Sequence, residues 1–381
     1  MCSSDLGPTT LGANVTTTGA QTYSQAIALN ANAALASTAS GNIILNGATG
    51  AKTLNVNTAG ATTLGGSYTN NSVTTDNPGT VVLNMAAGSG AAFNIGEPVI
   101  SGTASVTGTL NFPNAITLNG DTSLTATNVT FGNTVNSNAI GAPRALSITG
   151  PASFANSVGG GNPLTSLSVT GASTLGGNVT TTGAAGQTYN RGVTLAADVV
   201  LDAGAANPVS LGVVTGAGKN LFTTGVTSIT GTASNLGSLV VNQTLTTFDN
   251  IGATSVNITG ASILGGNVTS TGALGQTYTG SVTGNNITLN AGAGHPINAT
   301  NAANEFTGTL GLTGGVVNIT NINALSANLT TTGNTTLNAG NNLNITGTSG
   351  NLTTTTNGAG TTNFGRSEEH TSELQSHHDL V

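Results

Sequence analysis

The chain has 381 residues, of which 4% are charged, 3% are aromatic and 56 are glycine. So few charged and aromatic side chains exclude an ordinary globular core, and a formal net charge of −7 excludes the dense cationic surface on which nucleic-acid binding depends. The apolar fraction of 37% still suffices for a narrow interior made of Ala, Val, Leu and Ile.

The two ends differ in composition from everything between them. Residues 1–6 (MCSSDL) and residues 366–381 (RSEEHTSELQSHHDLV) resemble translated sequencing-adapter sequence, and we expect both segments to be non-native. Without them, residues 7–365 carry four basic and seven acidic side chains, a net charge of −3. Cys2 is the only cysteine of the chain, so residues 7–365 offer neither a disulfide nor a thiolate ligand.

One long phrase recurs along residues 7–365. Leu-Gly-Gly-Asn-Val-Thr-Thr-Thr-Gly-Ala…Gln-Thr-Tyr stands whole at 175–189 and nearly whole at 264–278 and 11–23. Counted from aromatic residue to aromatic residue, successive copies are 89, 77 and 89 residues apart, and the second copy is degenerate. A unit of this length must contain several strands and turns. The aromatic positions are Tyr23, Phe112, Tyr189 and Tyr278.

A shorter phrase recurs within the long one. Residues 146–150 (LSITG) and 167–171 (LSVTG) are 21 residues apart, and residues 256–260 (VNITG) follow the same pattern. Alternation of aliphatic and polar residues up to a Gly is typical of a half-buried strand, and the interval is typical of a solenoid. We therefore predict an all-β fold, a parallel β-helix (β-solenoid) with coils of about 20 residues over 7–365. Roughly 18 coils would form a rod about 85 Å long.

The repeated phrases resemble the β-strand-repeat regions of large bacterial surface exoproteins, the filamentous-haemagglutinin-like and autotransporter-passenger families. The resemblance implies a right-handed winding, secretion to the bacterial cell surface at the outer membrane, and a role as an adhesin or stalk. The secretion module and translocator barrel of complete members of these families are not visible, so we expect an internal fragment. No apolar run reaches the roughly 20 residues of a membrane span, and we expect no membrane insertion of this segment.

The aromatic residues of the repeat allow two interpretations. Tyr23, Phe112, Tyr189 and Tyr278 could form surface platforms for glycans, because an aromatic face offers broad apolar contact. Alternatively, they fill the interior or a corner once per long unit. We predict the interior position and keep the glycan platform as the alternative.

The charged residues do not predict a catalytic or metal site. Asp198 and Asp202 are the closest pair of acids, but positions i and i+4 of one strand lie about 13 Å apart, too far to share one ion or one scissile bond. His295 has no His, Cys or acid beside it in sequence and is typical of a turn. We expect no catalytic residue, metal or cofactor.

We therefore expect a non-enzymatic segment of an exported bacterial adhesin or surface stalk that presents a long, neutral, Thr/Asn-rich face to an unknown receptor or glycan. Cut ends of a solenoid would also favour self-association. Two alternatives stay open: a β-helix polysaccharide-degrading enzyme, and an ice-binding β-solenoid suggested by the Thr runs at 16–18, 180–182 and 330–332.

Overall fold

The computed structural model describes residues 9–76, 79–89, 91–139, 141–357 and 359–365. The two segments interpreted as adapter sequence, 1–6 and 366–381, lie outside the described residues. Every regular element of the described part is a β-strand, and most strands have three to eight residues. Short strands follow from the frequent Gly and Asn, which interrupt the extended conformation and favour turns.

The first 23 strands are β1 Thr10–Leu11, β2 Val15–Thr17, β3 Gln21–Tyr23, β4 Ile27–Leu29, β5 Ala33–Ser37, β6 Ile43–Thr49, β7 Thr53–Thr58, β8 Ala61–Tyr68, β9 Ser72–Thr75, β10 Thr80–Ser89, β11 Ala92–Asn94, β12 Val99–Val106, β13 Thr109–Phe112, β14 Ile116–Thr125, β15 Asn128–Phe131, β16 Val135–Ser137, β17 Ala145–Thr149, β18 Ala152–Phe154, β19 Ser166–Val169, β20 Ser173–Leu175, β21 Val179–Thr180, β22 Gln187–Tyr189 and β23 Val193–Leu195. The others are β24 Val199–Asp202, β25 Pro208–Leu211, β26 Val214–Thr215, β27 Leu221–Thr224, β28 Val226–Ile229, β29 Ala233–Val241, β30 Leu245–Thr247, β31 Ile251–Ile258, β32 Ser262–Leu264, β33 Val268–Ser270, β34 Gln276–Tyr278, β35 Val282–Asn285, β36 Thr288–Asn290, β37 Ile297–Ala299, β38 Glu305–Thr307, β39 Thr309–Gly314, β40 Val317–Asn321, β41 Leu325–Thr331, β42 Asn334–Ala339, β43 Leu343–Thr348, β44 Asn351–Thr356 and β45 Thr362–Phe364.

The strands stack in parallel, each on the strand one turn further along the chain. Leu146 pairs with Leu167, and Phe154 pairs with Leu175, so the 21-residue interval of the short phrase is the register of one turn. The chain forms a β-solenoid of about 18 turns with coils of about 19 residues. The prediction of a parallel β-solenoid with coils of about 20 residues is confirmed. The right-handed winding implied by the resemblance stays a prediction.

Most turns contribute a segment to each of three stacked faces, which follow one another in the order 1, 2, 3 along the chain. Face 1 contains β3, the first halves of β6, β8, β10, β12 and β14, then β16, β21, β24, β27, the second halves of β29 and β31, β34, β37, β40, β42 and β44. Face 2 contains β1, β4, the second halves of β6, β8, β10, β12 and β14, then β17, β19, β22, β25, β28, β30, β32, β35 and β38. Face 3 contains β2, β5, β7, β9, β11, β13, β15, β18, β20, β23, β26, the first halves of β29 and β31, β33, β36, β39, β41, β43 and β45.

The interior is one continuous apolar cluster that runs through the stacked turns. In β19, for example, Leu167 and Val169 are buried whereas Ser166 and Ser168 remain partly exposed. The same alternation in the next turn places apolar side chains above one another, so each turn removes apolar surface of its neighbours from water. A single turn could not bury such a stripe alone, and therefore the stability of the rod depends on contacts between turns.

Glycines hold the corner that precedes the Gln-Thr-Tyr strand. Gly186 and Gly275 adopt φ values of +57° and +59°, a conformation that favours glycine. A Cβ atom would lie 2.1 Å from the carbonyl oxygen of Pro208 at Gly186, and 2.0 Å from that of Pro296 at Gly275. The Gly of the repeated phrase is therefore required by both backbone conformation and the close approach of the next turn.

Candidate functional site

The structure places the aromatic residues of the long repeat mainly in the interior. Phe112, Tyr189 and Tyr278 are 0%, 1% and 2% exposed, and Tyr23 is partly buried against the same apolar cluster. Burial raises the pKa of the Tyr189 and Tyr278 hydroxyls far above the ordinary value. A buried ring presents no face to a sugar, so these positions fit the interior interpretation rather than the glycan platform.

A buried glutamine explains why the tyrosine recurs. The Nε2 group of Gln187 donates to the carbonyl oxygens of Val179 and Asp202, both at 3.0 Å, and the Tyr189 hydroxyl donates to its Oε1 at 3.4 Å. Because Val179 and Asp202 belong to adjacent turns of face 1, the side chain joins two turns from inside. We call this pair, Gln two residues before Tyr, the Gln-Tyr clamp.

The clamp occurs in all three recognisable copies of the long phrase. Gln276 donates to the Val268 and Asn290 carbonyl oxygens, both at 2.9 Å, and accepts from the Tyr278 hydroxyl at 3.0 Å. Gln21 accepts from Tyr23 at 3.0 Å. The glutamines were not among the predicted site residues, although their fixed place in each copy was a signal that could have identified them.

Phe112, taken from sequence as the aromatic of a degenerate copy, has other neighbours than the tyrosines. It lies on face 3, where Phe131 stacks between Phe112 and Phe154 with ring centroids 4.9 and 5.1 Å apart. The interplanar angles are 10° and 4°. No glutamine stands two residues before Phe112; that position is Leu110, which is itself buried.

The outward side of face 2 carries a row of hydroxyl side chains and, beside it, a second row that is mainly polar. The central row has a hydroxyl in eight successive turns, and a second row lies two residues further along each strand. The central row is Thr103, Ser123, Ser147, Ser168, Thr188, Ser210, Ser228 and Thr246. The second row is Thr125, Thr149, Thr170, Asn190, Gly212, Thr230 and Phe248.

A notch interrupts the corner beside this second row. Residues 190–192 connect face 2 to face 3 in one turn, and residues 230–232 make the same connection two turns later, but the turn between them has only Gly212 and Val213. The shorter loop leaves a recess of about 700 Å³ between its two neighbours. We call it the corner notch; its lining residues include Thr170, Asn190, Arg191, Gly212, Val213 and Thr230.

The corner notch combines one positive charge with hydroxyl, amide and apolar surface. Arg191 is exposed, and within the described part of the chain no side-chain hydrogen bond or ion pair holds its guanidinium. Val213, on the floor, is 48% exposed, and Phe248, in the turn after Thr230, is 64% exposed. The nearest acid along this corner is Asp249, whose pKa is lowered by the hydrogen bond from Thr232 and by the Asn250 amide.

The acids considered as catalytic candidates have structural partners. Asp198 accepts from the main-chain and side-chain amides of Asn220 in the next turn, at 2.9 and 3.0 Å, and Asp202 accepts from the Gly204 amide at 2.9 Å. The ring of His295 lies 2.9 Å from the Ala291 carbonyl oxygen within a turn. Within residues 9–365, apart from the undescribed positions, His, Cys, Asp and Glu form no group of three or more that could hold a metal ion.

Glu97 is the one fully buried acid among the described residues. Its carboxyl group accepts a hydrogen bond from the Thr75 hydroxyl, and Asp76 lies nearby. Desolvation outweighs the hydrogen bonds and raises the pKa of Glu97 above its ordinary value. The side chain points into the rod and has no access to a substrate, so its effect is on stability.

Comparison of the chain with protein-family models, with curated proteins and with solved structures gave no match. None of the described residues belongs to a helix long and apolar enough to cross a membrane.

Proposed function

We propose that this chain is a non-enzymatic segment of an exported bacterial adhesin or surface stalk, which holds a long polar face away from the cell. The continuous solenoid of about 18 turns carries this proposal, because its length comes from stacking alone and its surface is polar but almost uncharged. Weak contacts repeated along such a rod add up to useful avidity without a deep pocket.

Surface display separates an adhesin from a passive stalk. The full chain, anchored on a cell that lacks adhesins, should increase attachment to glycan-coated surfaces relative to an unrelated β-solenoid spacer of equal length. Attachment equal to that of the spacer would remove the adhesive part of the proposal. Turnover of any polysaccharide by the purified chain, abolished in Asp198→Asn or Asp202→Asn, would instead support the enzyme class.

The central hydroxyl row on face 2 supports ice binding as a second candidate function. A regular array of Ser and Thr with strands about 4.8 Å apart along the rod presents hydroxyls at lattice-like intervals. Ser147 and Ser168 of this row belong to the Leu-Ser-x-Thr phrases, and none of its members lies in the Thr runs that first suggested ice binding. Thermal hysteresis of the purified chain, lost in Ser168→Tyr and retained in Ser153→Tyr on face 3, would favour this candidate; absence of hysteresis would exclude it.

A further inference from the structure

We infer that the corner notch binds an acidic glycan, with the carboxylate of a sugar held by Arg191. This inference rests on the proposed adhesin function and names its ligand class. The shape is the first reason. The two loops that bound the notch are two strand spacings apart, about 9.6 Å from chain to chain, and the recess between them is open to solvent, a shape that fits an extended oligosaccharide lying across it.

The charge of the notch selects the ligand. A guanidinium presents a planar fork of donors that matches a carboxylate, and Arg191 has no competing partner among the described side chains. Asp249 is the acid on the same corner and stays charged, but it lies three turns from Arg191, about 14 Å along the rod, where salt screens it from a carboxylate held by Arg191. One free arginine suits a chain with spaced carboxylates and is too little charge for a nucleic acid.

The remaining surface fits a sugar chain better than a peptide. Thr170, Asn190 and Thr230 offer donors and acceptors to ring hydroxyls, while Val213 offers apolar contact to the C–H face of a sugar ring. The strands of face 2 at this level already pair on both sides, so no open sheet edge is present here for a peptide to join as a strand.

Binding of defined oligosaccharides to the full chain tests the inference. The probes are oligogalacturonate and a sialylated oligosaccharide, which distinguish two sources of the carboxylate, with oligogalactose as the neutral control. At least one acidic probe should bind, weaken with added salt, and lose about tenfold in affinity in Arg191→Ala. Lys219→Ala removes the same charge from an exposed loop outside the notch and should bind like the unmodified chain.

Further variants separate the charge from the shape. Arg191→Lys keeps the charge but loses the fork, and should recover only part of the affinity. Val213→Ala, at the apolar residue on the floor of the notch, should weaken binding about threefold, whereas Leu274→Ala, at an exposed apolar residue elsewhere, should leave binding unchanged. Equal loss in Arg191→Ala and Lys219→Ala would overturn the inference. So would tighter binding of a poly-glutamate peptide or of the neutral probe, or no binding of either acidic probe at millimolar concentration.

The display experiment distinguishes the two proposals. Cells whose attachment is unchanged by Arg191→Ala would leave the adhesin proposal standing and remove the notch as its site. Acidic-glycan binding that Arg191→Ala abolishes, on a rod that does not promote attachment, would leave the notch standing and remove the adhesin function.

Discussion

The interior of this rod is stabilised differently in two regions. On face 3, between β13 and β18, the interior is an aromatic stack in which Phe131 contacts Phe112 and Phe154. At β22 and β34 it is the Gln-Tyr clamp, in which Gln187 or Gln276 satisfies carbonyl groups of two turns. The stack contributes apolar area, whereas the clamp replaces water at polar groups that the narrow interior would otherwise leave unpaired.

The positions of the two clamps also show how the long repeat and the solenoid turn, which differ in length, combine in one rod. Gln187 lies on face 2 and Gln276, 89 residues later, lies on face 1, because 89 residues are not a whole number of turns of about 19. The same phrase therefore forms the same clamp against different neighbours. We infer that the interior is similar behind faces 1 and 2. The repeated phrase therefore specifies the same local structure on whichever of these faces it lies.

The largest effect is expected in the aromatic stack. Phe131→Ala removes a fully buried ring with an aromatic neighbour on each side and should destabilise the surrounding turns by about 4 kcal/mol. Guanidinium denaturation, with hydrogen exchange to locate the weakened turns between β13 and β20, measures this. Phe248→Ala, at an exposed ring, is the matched control and should change stability by less than about 0.5 kcal/mol. A loss below about 1 kcal/mol at Phe131 would contradict the importance of the stack.

The second largest loss of stability is expected in the Gln-Tyr clamp. Gln187→Ala leaves a small cavity, two carbonyl oxygens without their donor and the Tyr189 hydroxyl without its acceptor, a cost of about 3 kcal/mol. If the clamps are equivalent, Gln276→Ala should cost the same within about 0.5 kcal/mol. Hydrogen exchange should place the loss near the partner strands, β21 and β24 for Gln187 and β33 and β36 for Gln276. Unequal losses would mean that the faces differ, and that the phrase depends on its position.

Glu97 tests what happens when an interior polar group is charged. Its raised pKa means that the folded state holds the proton more tightly than the unfolded chain. Stability is therefore unaffected below the unfolded pKa of about 4.3, and it falls by at most about 1.4 kcal/mol per pH unit as the pH rises from there to the folded pKa. Glu97→Gln should remove this fall and be more stable than the unmodified chain at pH 7.

Denaturation midpoints at pH 3 and pH 7 measure the effect of Glu97→Gln. The two proteins should agree at pH 3 and differ at pH 7. Asp76, whose pKa is also raised by burial, contributes with the same sign, so Asp76→Asn is the control that separates the two acids. A variant less stable than the unmodified chain at both pH values would show that Glu97 is held as a charged hydrogen-bond acceptor instead.

The fold was predictable from sequence, whereas the candidate site was not. The 21-residue interval between Leu146 and Leu167 is the register of one turn, and the alternation of that phrase predicts its buried face. The corner notch depends on a single missing residue beside Gly212, which stands out only after the pairing of Leu211 and Val214 is known. Phe248, an exposed aromatic residue, lies outside the repeated phrase, and an aromatic spacing alone does not distinguish interior from surface positions.

The smallest expected loss of stability comes from removing the tyrosine hydroxyl of each clamp. Tyr189→Phe removes a hydrogen bond with an oxygen-to-oxygen distance of 3.4 Å, and Tyr278→Phe removes one of 3.0 Å. The shorter bond is the stronger, so Tyr278→Phe should cost about 1 kcal/mol and Tyr189→Phe less. Both rings stay in place, so denaturation midpoints report the hydroxyl alone. A larger loss at Tyr189 than at Tyr278 would show that the Tyr189 hydroxyl supports its glutamine more than this geometry allows.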